Sequence, residues 1–325
     1  MKKILLSVLS VVLFVPAFAQ TRIDMQAHIG SAEANMAYSA YVAKQNAYYT
    51  GRYCADSLLS LKGDELFARL NELMGQTIDM SGKSYNSLRY EYVHVDRDLN
   101  NAANIIGYYD GRSMKGTWDS GKTYNREHTW PQSKGADKSI PMGHDMQSVR
   151  PTSTAVNSDR GNTPYGETGN YYDPDDVKIN NPDYKKSNNG SYRGDAARII
   201  LYDYIVYGER AGHKNKMYNG NAQLLSKLGT DGVFESIDVM VRWSEADSVS
   251  LTEMVRNDGA QDYQGNRNPF IDFPQLVRRL LLPETVTDPI TGMESNREEE
   301  KAKKIIRDGR VYIVRGDRIY TVLGL

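Results

Sequence analysis

The spacing of apolar residues changes repeatedly along the chain, and each change marks an element. From Lys62 onward, Leu66, Leu70, Leu73 and Met74 fall on one helical face, with Asp64 able to cap the start and Gly75 to stop the end. The run Leu88 to Val95 alternates in the manner of a strand. A second apolar segment, Ala103 to Tyr109, ends at the turn pair Asp110-Gly111. Gly194 to Val206 is apolar on most sides, which predicts a core helix, and Asp195 suits the positive end of its dipole. Further helices are predicted at 222–228, 237–245, 250–257 and 274–282, and 32–48 reads as a helix of poor periodicity. Gly111 to Tyr192 is rich in Gly, Asn, Asp, Ser and Pro, with few apolar runs. So long a stretch without regular structure points to a functional loop system.

The two ends have a different texture. Met1-Lys-Lys, the apolar run Ile4 to Phe18 and the small-residue pattern Ala17-Phe-Ala19 predict a signal peptide over 1–19. That run falls short of the roughly 20 residues needed to span a bilayer, and no later stretch is apolar enough to do so. Residues 283–303, with Pro283, Pro289, Gly292 and the acidic run Glu298 to Glu300, read as a linker. Residues 304–325 read as two or three short strands. The body, 20–282, is long enough to bury a sizeable core. Cys54 is the single cysteine, so no intramolecular disulfide can form, and stability must come from packing or bound metal.

Formal charge is -1, and -3 once Lys2 and Lys3 leave with the signal, which argues against a purely electrostatic nucleic-acid binder. Local field matters more in a phosphate-binding cleft. Lys185, Lys186, Arg193, Arg198, Arg210, Lys214 and Lys216 cluster in a short span, as either such a field or an ordinary solvated face.

The candidate chemistry lies in the irregular stretch. Glu127-His128 follows a short strand-like segment and precedes Pro131, while Thr152 to Arg160 can form a short helix capped by Thr152 or Ser153 and carrying Asn157. Hydrolysis of a phosphodiester needs an activated water, stabilised charge on phosphorus and an assisted leaving oxygen. A neutral imidazole, here His128, suits the first task. A hard divalent cation serves the others and prefers oxygen donors such as Glu127 and the Asn157 amide. An arginine matches two phosphate oxygens, and Arg160 and Arg198 are the candidates. A zinc protease fits less well, because no His-Glu-x-x-His occurs and His144 lies too far from His128 to share a helical turn, and Cys54 has no neighbouring histidine in sequence to make it a nucleophile. Besides a nuclease, the residues leave open a binder of polyanions without turnover and a phosphodiesterase for small nucleotides.

Longer strings narrow this choice. Tyr124-Asn-Arg-Glu-His-Thr-Trp-Pro-Gln-Ser133, His144-Asp-Met-Gln-Ser-Val-Arg-Pro151 and Val156-Asn-Ser-Asp-Arg-Gly-Asn162 resemble the bacterial secreted endonuclease I family, as do Tyr192 to Arg198 and Gln264 to Asp272. The resemblance covers about residues 60 to 280. It implies an α+β fold: a ββα-metal (His-Me finger) core embedded in helices, followed here by the short C-terminal β segment. It also implies His128 as general base and Glu127 with Asn157 holding Mg2+ or a similar ion such as Ca2+ or Mn2+. The implied activity is cleavage of DNA, often RNA too, to 5′-phosphate products with little sequence preference. Arg126, Trp130, His144, Arg150 and Arg193 are expected to contact the nucleic acid. Unlike the periplasmic members, this chain lacks disulfides. Its tail resembles short C-terminal segments of exported proteins in Bacteroidetes-type bacteria, which makes export machinery an expected partner and a secreted, periplasmic or surface address the expected location.

Overall fold

The computed structural model describes residues 32–176, 191–210, 213–214 and 232–287, and the backbone of three strands near the C-terminus. The expected signal peptide, the helix at 222–228, and Lys185, Lys186 and Lys216 lie outside the described residues. The elements are α1 (Ala32–Tyr48), α2 (Ala55–Leu59), α3 (Gly63–Thr77), α4 (Tyr85–Val95), β1 (Arg97–Asp98), β2 (Asn101–Ile106), β3 (Ser113–Lys115), β4 (Tyr124–His128), β5 (Val149–Ser153), α5 (Thr154–Arg160), α6 (Arg193–Tyr207), β6 (Glu209–Arg210), β7 (His213–Lys214), α7 (Ile237–Ala246), α8 (Leu251–Gln264), α9 (Pro269–Asp272) and α10 (Leu276–Leu281). Small antiparallel sheets thus sit among helices, so the fold is α+β. Among the described residues no helix is long and apolar enough to cross a membrane.

Packing begins at α6. Every residue from Gly194 to Tyr207 is buried, as an all-round apolar helix must be, and Ile200, Leu201 and Ile205 share a core with Leu66, Phe67, Leu70 and Met74 of α3 and Leu276 and Leu280 of α10. Full burial of one such aliphatic side chain contributes roughly 1.5–3 kcal/mol.

A second cluster lies behind the β4–β5 hairpin. Leu88, Tyr92 and Val95 pack there with Ile105, Met114, Tyr124, Val149 and Ala260. These three residues come from a helix and not from the strand that the alternation of 88–95 predicts. Their spacing suits a 3.6-residue period, and a capping box fixes the start, with Ser84 accepting from Ser87 N–H and Ser87 returning a bond to the Ser84 backbone. The alternation misleads because its intermediate apolar position, Tyr90, points to solvent. Gly259 lets α8 close on α4, since a Cβ there would lie 2.8 Å from the Val95 Cα.

The hairpin pairs β4 with β5 antiparallel, with Glu127 opposite Arg150 and His128 opposite Val149. The chain then enters α5 directly, where Ser153 caps by accepting from Val156 N–H. By contact density the chain divides at Pro283/Glu284. The second unit holds β8 (Lys303–Arg307), β9 (Arg310–Arg315) and β10 (Arg318–Thr321) in an antiparallel meander, Ile305 facing Tyr312 and Tyr320 facing Ile313.

Candidate active site

Successive side chains of a strand leave opposite faces, so Glu127 and His128, adjacent in sequence, enter different surroundings. On the His128 face, Nε2 lies 2.9 Å from the carbonyl of Gly143. A carbonyl only accepts, so Nε2 carries the proton and Nδ1 presents a lone pair. The side-chain amide of Gln132, an exposed residue, donates toward that lone pair at 3.3 Å. The Tyr85 ring stacks on the imidazole, 5.3 Å between centroids, and the Arg126 guanidinium lies 3.7 Å over the Tyr85 ring. Burial, offset in part by the Gly143 bond and reinforced by Arg126 and Arg160, pushes the His128 pKa down to about 4. The ring is therefore neutral at pH 7 and able to take a proton.

Gly143 can reach His128 only because it lacks a side chain. A Cβ at this position would lie 2.0 Å from the Asp137 carbonyl oxygen and 2.7 Å from that of Ala136.

On the Glu127 face, Oε1 accepts from the Tyr109 hydroxyl at 2.8 Å and from Arg160 Nη1 at 3.1 Å. Burial raises the Glu127 pKa, while Arg160 and the Tyr109 hydrogen bond oppose the shift. Tyr109 holds φ at +71°, a left-handed conformation unfavourable for a bulky residue, and so strain is accepted where its hydroxyl meets Glu127. Arg160 also donates to the carbonyls of His128 (2.8 Å), Thr129 (2.8 Å) and Thr163 (3.1 Å). With four donors committed and 1% exposure, Arg160 clamps the end of β4 and has no fork left for a phosphate.

Asn157 lies one turn before Arg160, so its side chain leaves the same side of α5. Among the described residues, nothing hydrogen-bonds its side-chain amide or Glu127 Oε2. Two free oxygen donors on neighbouring elements fit a hard divalent ion that keeps several waters. No group of three or more His, Cys, Asp or Glu that could hold a metal occurs among the described residues.

Most of the other expected substrate contacts are structural. Arg198, expected as a catalytic cation, has no exposed surface. Its Nε and Nη2 reach Glu253 at 2.7 and 2.9 Å, and Nη1 donates to the Asp247 carbonyl at 2.8 Å. A helix buried on all sides turns residue 198 inward. Arg150 is buried between Asp96 at 3.3 Å and Asp195 at 3.8 Å, over the Tyr108 ring. Trp130 is wholly buried, its indole N–H donating to the Lys134 carbonyl at 3.0 Å. The buried His144 lies with Nδ1 3.2 Å from the Lys138 carbonyl. Arg193 is part-exposed but held by Asp173 at 3.0 Å and Asp175 at 3.7 Å. Arg126 alone of these stays close to His128 with no carboxylate partner among the described residues.

Tyr85, Tyr109, Gln132 and Gly143 were not marked as site residues by the sequence. Gln132 sits inside the Tyr124 to Ser133 string, and the Ser84-x-x-Ser87 box could have placed Tyr85 at a helix start. Nothing local marks Tyr109 or Gly143, because their roles are contacts across 18 and 15 positions.

Known proteins bear on these geometries. The chain is 31% identical over 209 residues to an extracellular ribonuclease of Bacillus amyloliquefaciens, covering 59% of this chain and 66% of that protein. It is 29% identical over 284 residues to an extracellular ribonuclease of Bacillus subtilis, covering 80% of this chain and 89% of the other. The family model of endonuclease I matches residues 64–275, which include the whole hairpin, α5, and the helices that support them, and the chain accordingly belongs to the endonuclease I family.

Proposed function

We propose that the protein is an exported nuclease that hydrolyses phosphodiester bonds of DNA, and of RNA as well, with a divalent cation and His128 as general base. The observation that carries this reading is the tautomer. With Nε2–H committed to the Gly143 carbonyl, the unprotonated Nδ1 faces the side where an exposed amide, and hence a water, can reach it. His128 takes the proton of that water as its oxygen attacks phosphorus, and Gln132 yields its place at Nδ1 to the water. Glu127 and Asn157 would hold the cation, the hairpin and α5 then serving as a ββα-metal unit. When bound, such an ion supplies stabilisation of charge on the phosphoryl and leaving oxygens. Tyr109 and Arg160 fix the Glu127 carboxylate so that one oxygen stays committed and the other free. The apolar N-terminal run and the extracellular relatives support export.

The decisive comparison is degradation of plasmid and of RNA by the mature chain, with Mg2+ and with EDTA. His128→Ala should lower the rate by about 10²- to 10⁴-fold with an unchanged circular dichroism spectrum. Undiminished cleavage by this variant, or by wild type in EDTA, would remove His128 or the metal from the reaction. A protein that shifts DNA in a gel and never shortens it would be a binder instead.

A further inference from the structure

The fully buried arginines among the described residues are matched by carboxylates: Arg160 by Glu127, Arg150 and Arg256 by Asp96, Arg198 by Glu253, and Arg267 by Asp272 and Asp258. Arg126 and Arg89 are not. Among the described residues neither has an acidic partner, and both are held against aromatic rings instead. Arg126 lies 3.7 Å over Tyr85 and 5.0 Å over Trp118. Arg89 lies 5.6 Å over Trp118 and 4.8 Å over Tyr90, to whose hydroxyl it donates at 3.0 Å. Since Tyr85 stacks on His128, these residues form one unbroken succession of rings and cations that starts at the candidate base. It ends at Tyr90, which is 59% exposed, a large value for an aromatic ring with no obvious role in the core. Asp119, the carboxylate beside Trp118 in sequence, is occupied within its own turn by the Thr123 hydroxyl and two backbone N–H groups.

Guanidinium groups left unneutralised keep their charge for an external anion, and the exposed Tyr90 ring and the part-exposed Trp118 indole beside them offer surface to planar bases, while Tyr85, covered by His128 and Arg126, ties the group to the candidate base. Nucleic-acid duplexes present phosphates but keep their bases stacked inside, so only an unpaired strand can use both features together. We propose that Tyr85, Arg126, Trp118, Arg89 and Tyr90 form a track for a single polynucleotide strand leading to His128. The protein would then engage unpaired segments more tightly than duplex. This proposal rests on the nuclease reading for the scissile end of the track, but its test is binding and does not require turnover.

The test uses His128→Ala protein in EDTA with a labelled single strand of about 12 nucleotides and with its blunt duplex, a length that covers a few stacking subsites. The single strand should bind at least about tenfold more tightly, and Trp118→Ala or Tyr90→Ala in that background should each weaken it by about fivefold or more, with little effect on duplex. Tyr90 is exposed, so its replacement leaves the fold intact. Trp130 and Trp243 are buried, so quenching of indole fluorescence by the oligonucleotide should come from Trp118 and vanish in Trp118→Phe, while binding persists. Arg89→Gln should flatten the salt dependence of single-strand binding by about 0.7 in log–log slope, one phosphate contact. Equal affinity for strand and duplex, or unchanged binding in Trp118→Ala and Tyr90→Ala, overturns the track even if the wild type cleaves nucleic acid. Intact binding with no cleavage by wild type would instead overturn the nuclease reading alone.

Discussion

Two regions of this protein handle positive charge in opposite ways. Around α6 and α8, Arg198 is enclosed by Glu253, Asp195 and Asp247, and Glu253 doubles as the capping-box residue of Ser250. Around β4 and α4, Arg126 and Arg89 rest on aromatic faces with no carboxylate among the described residues. Burial explains the first. A charge removed from water needs a partner in the fold, and that partner makes it unavailable to any ligand. In the second region the rings hold the cations in place without cancelling their charge, which leaves a field that a phosphate can neutralise. A cation near a site is therefore informative only together with its partners.

The contrast can be broken most forcefully on the buried side. Arg198→Met should cost about 3–5 kcal/mol in urea unfolding, because three carboxylates lose their shared counter-ion, while the activity of the protein that remains folded stays near wild type. A small stability change with lost activity would return Arg198 to the catalytic group. The same cluster should respond to pH. Burial, aided by Glu253 and opposed by Arg198, raises the Asp247 carboxyl to about 7, against about 3.9 in an unfolded chain. The folded state therefore keeps a proton that the unfolded state has released. This contribution is full below about pH 4 and is lost as pH rises through 7, by a few kcal/mol at most. Melting temperatures at pH 5 and pH 7.5 should converge in Asp247→Asn relative to wild type; parallel behaviour would show that the cluster is not so coupled.

On the catalytic side, smaller structural changes should have larger functional ones. Gly143→Ala must move the chain at Asp137, at about 1–3 kcal/mol of stability, and should lower the rate well beyond that because the carbonyl that fixes the His128 tautomer moves with it. Full activity in this variant would mean that the Gly143 bond is dispensable. Arg126→Gln should change stability least, by under about 1 kcal/mol, yet lower activity at low salt and converge with wild type as salt screens the field. Equal salt profiles would make Arg126 another structural arginine.

The helices α3, α7 and α8 were legible along the chain from their apolar periods and α6 from its continuous apolar run, but the ends of α3 were not. Lys62 and not Asp64 stands at its N-cap, and the helix runs through Gly75 to Thr77 because packing of its last turn outweighs the weak glycine stop. The strand carrying Glu127 and His128 and the capped helix carrying Asn157 were equally legible, since strand, Pro131 and Ser153 are local marks. The segment 88–95 was not, because its alternation and its helical spacing coexist, and only the surface against Ile105 and Ala260 selects the helix. Arginine roles were the least legible of all. Arg126, Arg150, Arg160 and Arg198 look alike in sequence, and their partners lie up to 55 positions away.

The sequence by itself determined the family, most of the elements and the candidate residue pair Glu127-His128, because periodicity, caps and motif strings are short-range properties of the chain. The tertiary structure decided what those residues face. It set Glu127 and His128 in separate environments, gave His128 its tautomer through a carbonyl that only a glycine could bring near, and withdrew Arg160 and Arg198 from the substrate. Charge and proton position depend on neighbours in space, and folding alone chooses those.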